Sequence, residues 1–146
     1  QILGIKGFLE MPICKKELEI MGISVVLPEI EIHTTPLEEL FIDSTSITIF
    51  FDDINENRYK IIAEPYQAIN ITTIDCVSCK EYYNSFCYRD GIFHRHILQV
   101  ENSELLCSLI KRTNDNQFLM NSKHYVLPLQ DNLIEFLAYD LRIEKD

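Results

Sequence analysis

Ser46-Ile47-Thr48-Ile49-Phe50-Phe51-Asp52-Asp53-Ile54-Asn55-Glu56-Asn57-Arg58-Tyr59-Lys60-Ile61-Ile62-Ala63 is the stretch on which the reading of the fold turns. Its first part is β-branched and aromatic, as a half-buried strand requires. Asp52 to Asn57 then supplies turn chemistry, because Asp and Asn bond their own backbone and tolerate tight conformations. Arg58 to Ala63 resumes the strand pattern. The stretch predicts a β-hairpin with an acidic tip.

Toward the N-terminus, Ile23 to Leu27 is β-branched and stops at Pro28, and Glu29-Ile30-Glu31-Ile32-His33 alternates polar residues with isoleucine. Period two predicts a strand with one face buried. Ile2 to Phe8, short, apolar and interrupted by Gly4 and Gly7, suits another strand, while residues 12–21 fit a helical turn or an extended segment. Toward the C-terminus, Ala68 to Asp75 reads as a strand through Ile69, Ile71 and Ile74. Cys79 to Tyr88 is aromatic and irregular enough for a short helix, Asp90-Gly91 marks a turn, and Ile92 to Val100 reads extended.

Asn102-Ser103 can cap a helix that carries Leu105, Leu106, Leu109 and Ile110 on one face, with Lys111 and Arg112 at the end where the dipole favours cations. His124 to Leu129 and Leu133 to Ala138 flank Gln130-Asp131-Asn132 and predict a final hairpin. The competing reading makes 132–141 a helix, since Leu133, Phe136, Leu137 and Leu141 recur at near-helical spacing. The expected class is α+β, mainly antiparallel sheet with hairpins and one or two helices packed on it. With no repeat, low-complexity tract or linker, residues 1–146 read as a single domain.

Composition agrees with a packed core: 47% of the 146 residues are hydrophobic and 25% charged, and a chain near this size buries about 70% of the surface its unfolded form exposes. No apolar run approaches the roughly 20 residues of a membrane helix. The opening Gln1 to Lys6 lacks the order of a secretory signal, so a cytoplasmic location is expected. The cysteines, Cys14, Cys76, Cys79, Cys87 and Cys107, are odd in number in a chain large enough to fold without staples, which predicts reduced thiols.

The net charge of −10 argues against a nucleic-acid ligand, whose affinity comes from Lys and Arg displacing counterions. Residues 29–64 hold nine acids against Arg58 and Lys60, −7 of that total. Such a patch either solvates the surface or steers a basic protein into contact.

Motifs for chemistry are sparse. Cys76-Val77-Ser78-Cys79 with Cys87 and the pair His94/His96 could hold zinc, if the two imidazoles share a strand face and complete the tetrahedral set. A thioredoxin-like use of the same cysteines lacks its βαβ setting. No GxSxG elbow, HExxH helix or glycine-rich phosphate loop occurs. His124 reads as a hydrogen-bonded core or edge histidine, and Glu38-Glu39 and Asp52-Asp53 read as solvated pairs without the burial that tunes a general acid. No catalytic residue, cofactor or enzymatic activity is expected.

Tyr59-Lys60-Ile61-Ile62-Ala63-Glu64-Pro65-Tyr66-Gln67-Ala68-Ile69-Asn70-Ile71-Thr72-Thr73-Ile74-Asp75-Cys76 resembles a segment of small bacterial immunity proteins that neutralise toxins of contact-dependent growth inhibition and other polymorphic toxin systems. Val100-Glu101-Asn102-Ser103 before a helix, then Lys123-His124-Tyr125 with Asp131 and Glu135, follow the same layout, so the resemblance spans residues 59–143. It implies a cytosolic inhibitor that blocks the active site of a cognate toxin C-terminal domain, a basic nuclease and an RNase first. It assigns no contact residues. The charge cluster supplies the partner-binding set Glu29, Glu31, Glu38, Glu39, Asp52, Asp53 and Glu56, and reversing Asp52, Asp53 and Glu56 to lysine is expected to slow association without unfolding the chain. The alternatives are a non-enzymatic adaptor with another partner, or a small zinc domain built on Cys76, Cys79, Cys87 and His94/His96.

Overall fold

The computed structural model describes residues 22–76, 88–89, 92–114 and 116–146. Among them, nine strands form two antiparallel sheets. The five-stranded sheet runs β1 (Gly22–Val26), β8 (Ile97–Glu101), β9 (Lys123–Pro128), β10 (Asn132–Ala138), β5 (Tyr66–Thr73). The four-stranded sheet runs β11 (Leu141–Lys145), β4 (Arg58–Ala63), β3 (Ile47–Asp52), β2 (Glu39–Ile42). A small ribbon pairs β6 (Tyr88–Arg89) with β7 (Ile92–Phe93). Two helices, α1 (Glu104–Lys111) and α2 (Gln117–Met120), lie against β9 and β10 respectively. The α+β class read from the sequence is the observed one.

The hairpin at 46–63 forms as its sequence dictates. On β3, Ile47, Ile49 and Phe51 are buried while Thr48, Phe50 and Asp52 face outward, and Asp52 pairs across the ladder with Arg58. The final hairpin also forms, with Leu133 opposite Pro128 and Ala138 opposite Lys123, so residues 132–138 are strand and not helix. Helical spacing misleads there because β10 is buried on both faces, and a strand of that kind is apolar throughout instead of alternating.

Two bends join the sheets. The chain passes from β4 to β5 through Glu64-Pro65 and from β10 to β11 through Tyr139-Asp140. The bends lie together: the Glu64 amide donates to the Asp140 carbonyl at 3.1 Å and the Tyr139 amide to the Pro65 carbonyl at 3.0 Å. A register shift at Leu137/Ala138 in the β10–β5 ladder accompanies the corner, where an extra residue lets a strand turn out of its sheet. One core fills the space between the sheets, with Ile49, Phe51 and Ile61 from one meeting Tyr125, Leu127 and Phe136 from the other. Tyr125 and Phe136 lie 5.6 Å apart. The opposite face of the five-stranded sheet buries Leu98, Val100, Val126 and Leu133.

Ser103 caps α1 as predicted, its hydroxyl accepting the Leu106 amide at 3.0 Å, and Asn102 at φ 58° turns the chain from β8 into the helix. The helix face differs slightly from the expected one. Leu105, Leu106, Leu109 and Ile110 are half-buried and Cys107 is the buried residue.

Other expectations are corrected. Residues 29–33 form no strand. Ile30 and Ile32 are buried and their polar neighbours face outward, as the alternation implied, but Ile32 makes only an isolated bridge to Asp53. Leu27, at φ 55°, accepts the Ile30 amide and starts the segment with a tight turn. Its backbone groups then divide between Arg95 on one side and Asp52 and Ile54 on the other, which leaves no continuous ladder. The extended stretch 92–100 is interrupted at residues 94–96. Strands β2 and β11 and helix α2 were not foreseen. The sequence-predicted strand at Ile2 to Phe8, the open segment 12–21, most of the short helix at Cys79 to Tyr88 and the Asp90-Gly91 turn fall outside the described residues.

Candidate protein-binding surface

Acids far apart in sequence meet at the tip of the β3–β4 hairpin, because the segment 29–33 is laced to it. The Ile54 amide donates to the Glu31 carbonyl at 3.0 Å and the His33 amide to the Asp52 carbonyl at 2.8 Å. This fixes Glu31 beside Ile54 and Ile32 beside Asp53, with Glu29 two residues earlier in the chain. Arg58 draws in a third segment, bonding Asp52 through Nη1 at 2.8 Å and Glu39 on β2 through Nη2 at 3.1 Å. Glu38 immediately precedes β2.

The seven predicted residues do different work. Glu29 and Glu56 are exposed and Glu38 half-buried, and among the described residues none of the three has a cationic partner. Glu31 Oε2 lies 3.0 Å from His94 Nδ1. Glu39 and Asp52 share Arg58, whose guanidinium the Asp52 hydrogen bond holds in its charged form above the usual range. Arg58 also sits over the Phe50 ring at 5.6 Å, and Phe50 meets Phe41 edge-on.

Asp53 is the correction. It is 3% exposed, and its carboxylate accepts the amides of Asn55 and Asn57 at 2.9 and 2.8 Å and the Asn57 side chain at 3.3 Å. Burial pushes its pKa up, but those hydrogen bonds and the charge of Lys145 outweigh burial and hold the carboxyl below its usual range. It organises the tip and offers no charge to a partner, so a lysine there removes the turn it supports. The outer face of the same sheet is mixed in sign: Lys60 pairs with Glu144, and Arg142 lies near Glu64 and Glu144. Among the described residues, Glu29, Glu56 and Glu38 thus carry charge without a cationic partner around the tip and the approach to β2, as do Asp75, Glu101, Glu104, Asp131, Asp140 and Asp146 elsewhere.

A second polar cluster was not foreseen as a unit. Ser103 Oγ lies 2.7 Å from His124 Nδ1, and His124 Nε2 lies 2.9 Å from Glu135 Oε1. A carboxylate accepts, so Nε2–H donates to Glu135, Nδ1 accepts the Ser103 hydroxyl hydrogen, and Ser103 Oγ keeps its role as acceptor of the Leu106 amide. The row has the residue types of a hydrolase triad, with the two imidazole nitrogens in exchanged roles. All three residues are buried beneath α1, at most 7% exposed, and the serine is already committed to the cap. It ties the helix to the sheet, which fits the reading of His124 as a core histidine. Sequence gave each member a separate signal; their meeting depends on the β8–β9–β10 register.

The zinc reading loses part of its basis. Residues 94–96 are not a strand, His96 is buried with Nδ1 3.0 Å from the Ile30 carbonyl, and His94 faces Glu31. Cys79 and Cys87 lie outside the described residues. Among the described residues no three His, Cys, Asp or Glu side chains are grouped as a metal requires. Cys76 is a free, exposed thiol, whereas Cys107 is disulfide-bonded. That bond departs from the expectation of reduced thiols. No helix among the described residues is long and apolar enough to cross a membrane.

No protein-family model, curated protein or solved structure matches the chain.

Proposed function

We propose that the chain is a non-enzymatic binding protein whose acidic tip engages a basic protein, and that it acts as an immunity protein. Its target is a cognate toxin C-terminal domain, an RNase first among nucleases, neutralised by occupation of the active site. The observation that supports this reading is the lacing of segment 29–33 to the β3–β4 tip, which ties the acids of two distant segments into one part of the surface through backbone hydrogen bonds. A nuclease must offer cationic groups to phosphate, and preset carboxylates compete for those groups without being substrates. Asp52 and Glu39 contribute less, because Arg58 already neutralises them.

The test is co-expression with the protein encoded next to this chain, followed by affinity purification and assay of RNA and DNA cleavage. The expected result is a stable complex in which cleavage by the neighbour is lost and returns when the two are separated. A neighbour that does not co-purify, or that cleaves equally well in the complex, overturns the reading. Such an inhibitor works in the cytoplasm, where the Cys107 disulfide is expected to be reduced. Thiol titration of protein purified under anaerobic conditions checks this.

A further inference from the structure

The edge of the four-stranded sheet carries an opportunity that the acidic tip alone does not explain. Among the described residues, β2 ends that sheet and nothing pairs with its outer side. The Asp43 amide donates to the Ser46 carbonyl at 3.1 Å, so Asp43 and Ser46 close the β2–β3 turn as a hydrogen-bonded pair. Because such pairs alternate along an antiparallel ladder, Phe41 and Glu39 also turn their amide groups toward β3. Leu40 and Ile42 therefore present N–H and C=O groups to the open side. Leu37, Phe41 and Ile42 are about half exposed there, at 54%, 57% and 47%.

Natural edges are usually blunted by lysine, proline or a bulge, and β2 has none of these within it. The chain around it carries charge of one sign, and Arg58 reaches across from β4 to Glu39. Residues 29–46 hold Glu29, Glu31, Glu38, Glu39 and Asp43 and no lysine or arginine. The other edges differ: β11 carries both signs, in Arg142, Glu144 and Lys145, and β1 and β5 carry no charge. The acids also argue against a second copy, since antiparallel self-pairing that opposes Leu40 to Ile42 would set Glu39 of one copy opposite Asp43 of the other.

We infer that β2 receives an extended, cationic segment of the basic partner as an added strand. Main-chain bonds to Leu40 and Ile42 supply the pairing, Phe41 and Ile42 supply apolar contact, and Glu38 and Asp43, which flank β2 without a cationic partner among the described residues, select positive side chains. This deepens the proposed function and rests on it, because it names how the acidic surface holds its partner.

Three synthetic octapeptides serve as probes: alternating lysine and valine, the same peptide N-methylated at alternate residues, and alternating glutamate and valine. Backbone amide spectra and hydrogen exchange of the whole chain are recorded with each. The lysine peptide is expected to shift Leu40 and Ile42 and slow their exchange. N-methylation, which removes the donors without changing charge, should weaken binding about tenfold or more. The glutamate peptide should not bind. Ile42→Pro should abolish the effect, because that amide points away from β3 and its loss leaves the ladder intact. Equal binding of the N-methylated peptide, or shifts confined to Glu29 and Glu56, would overturn strand addition while leaving the acidic reading standing. Absence of salt-sensitive binding by either lysine peptide would remove both. A dimer by sedimentation whose contacts map to β2 would assign the edge to self-association instead.

Discussion

The two sheets of this molecule are built from different sequence patterns, and the difference explains what each can do. Strand β3 alternates strictly between buried and partly exposed residues, whereas β9 and β10 are buried along almost their entire length. Alternation means one face belongs to solvent; continuous burial means both faces are covered. The four-stranded sheet can therefore carry charged groups for recognition, and the five-stranded sheet carries the fold. Polar residues follow the same division. Glu135 and His124 on the buried sheet satisfy each other and Ser103, while Asp52 and Glu39 on the exposed sheet hold Arg58 in a pair that water can still reach.

The largest effect that sharpens this contrast is truncation of an aromatic on each sheet. Phe136→Ala, at a fully buried position between the sheets, should cost about 3–5 kcal/mol. Phe50→Ala, on the outer face under Arg58, should cost about 1 kcal/mol or less. Urea unfolding of both variants measures the gap, and similar losses would mean that the outer face is covered in solution.

Ser103→Ala should cost about 1–3 kcal/mol, because it removes the α1 cap and leaves His124 Nδ1 without the hydroxyl hydrogen it accepts. Its signature is local. Amide exchange should quicken first at Leu105 and Leu106, and a loss spread evenly through β9 and β10 would show that the row does not anchor the helix.

Asp53→Asn should destabilise by about 1 kcal/mol at neutral pH, through weaker bonds to the Asn55 and Asn57 amides. The sign with pH follows from a carboxyl held below its usual range. Its contribution is complete above the unfolded value, about 3.9, and is lost as pH falls through the folded value. The gap between wild type and variant should therefore be full at pH 7 and close below about pH 4. A gap that widens in acid would show that burial, not the turn hydrogen bonds, governs this group.

Much of the fold was legible where a strand has one wet face or a turn has its own chemistry. The 46–63 hairpin, the Ser103 cap and the 124–138 hairpin all follow from local sequence. Strand β2 escaped because Leu40 is its one inward residue of note and Phe41 and Ile42 lie exposed at an edge, so no alternation marks it. Strand β11 escaped because Leu141 and Ile143 alternate with charges over too short a run to separate from a tail. Residues 29–33 show the converse: their period is that of a strand and their burial obeys it, but the partners are a turn and a loop. The charge cluster was readable as a composition, and its gathering at one end depends on the Ile54–Glu31 and His33–Asp52 bonds. Which acids remain unneutralised could not be read at all, since Arg58 reaches Glu39 only after the sheet has formed.

The smallest effect on stability tests the central claim most directly. Glu29→Lys with Glu56→Lys changes two exposed acids and should alter stability by less than about 0.5 kcal/mol each. The measurement is the association rate with the co-purified basic partner, at low and at high ionic strength. The account predicts a rate roughly tenfold or more lower at low salt, converging on wild type as salt screens the field. An unchanged rate at low salt, from a variant that folds normally, contradicts it.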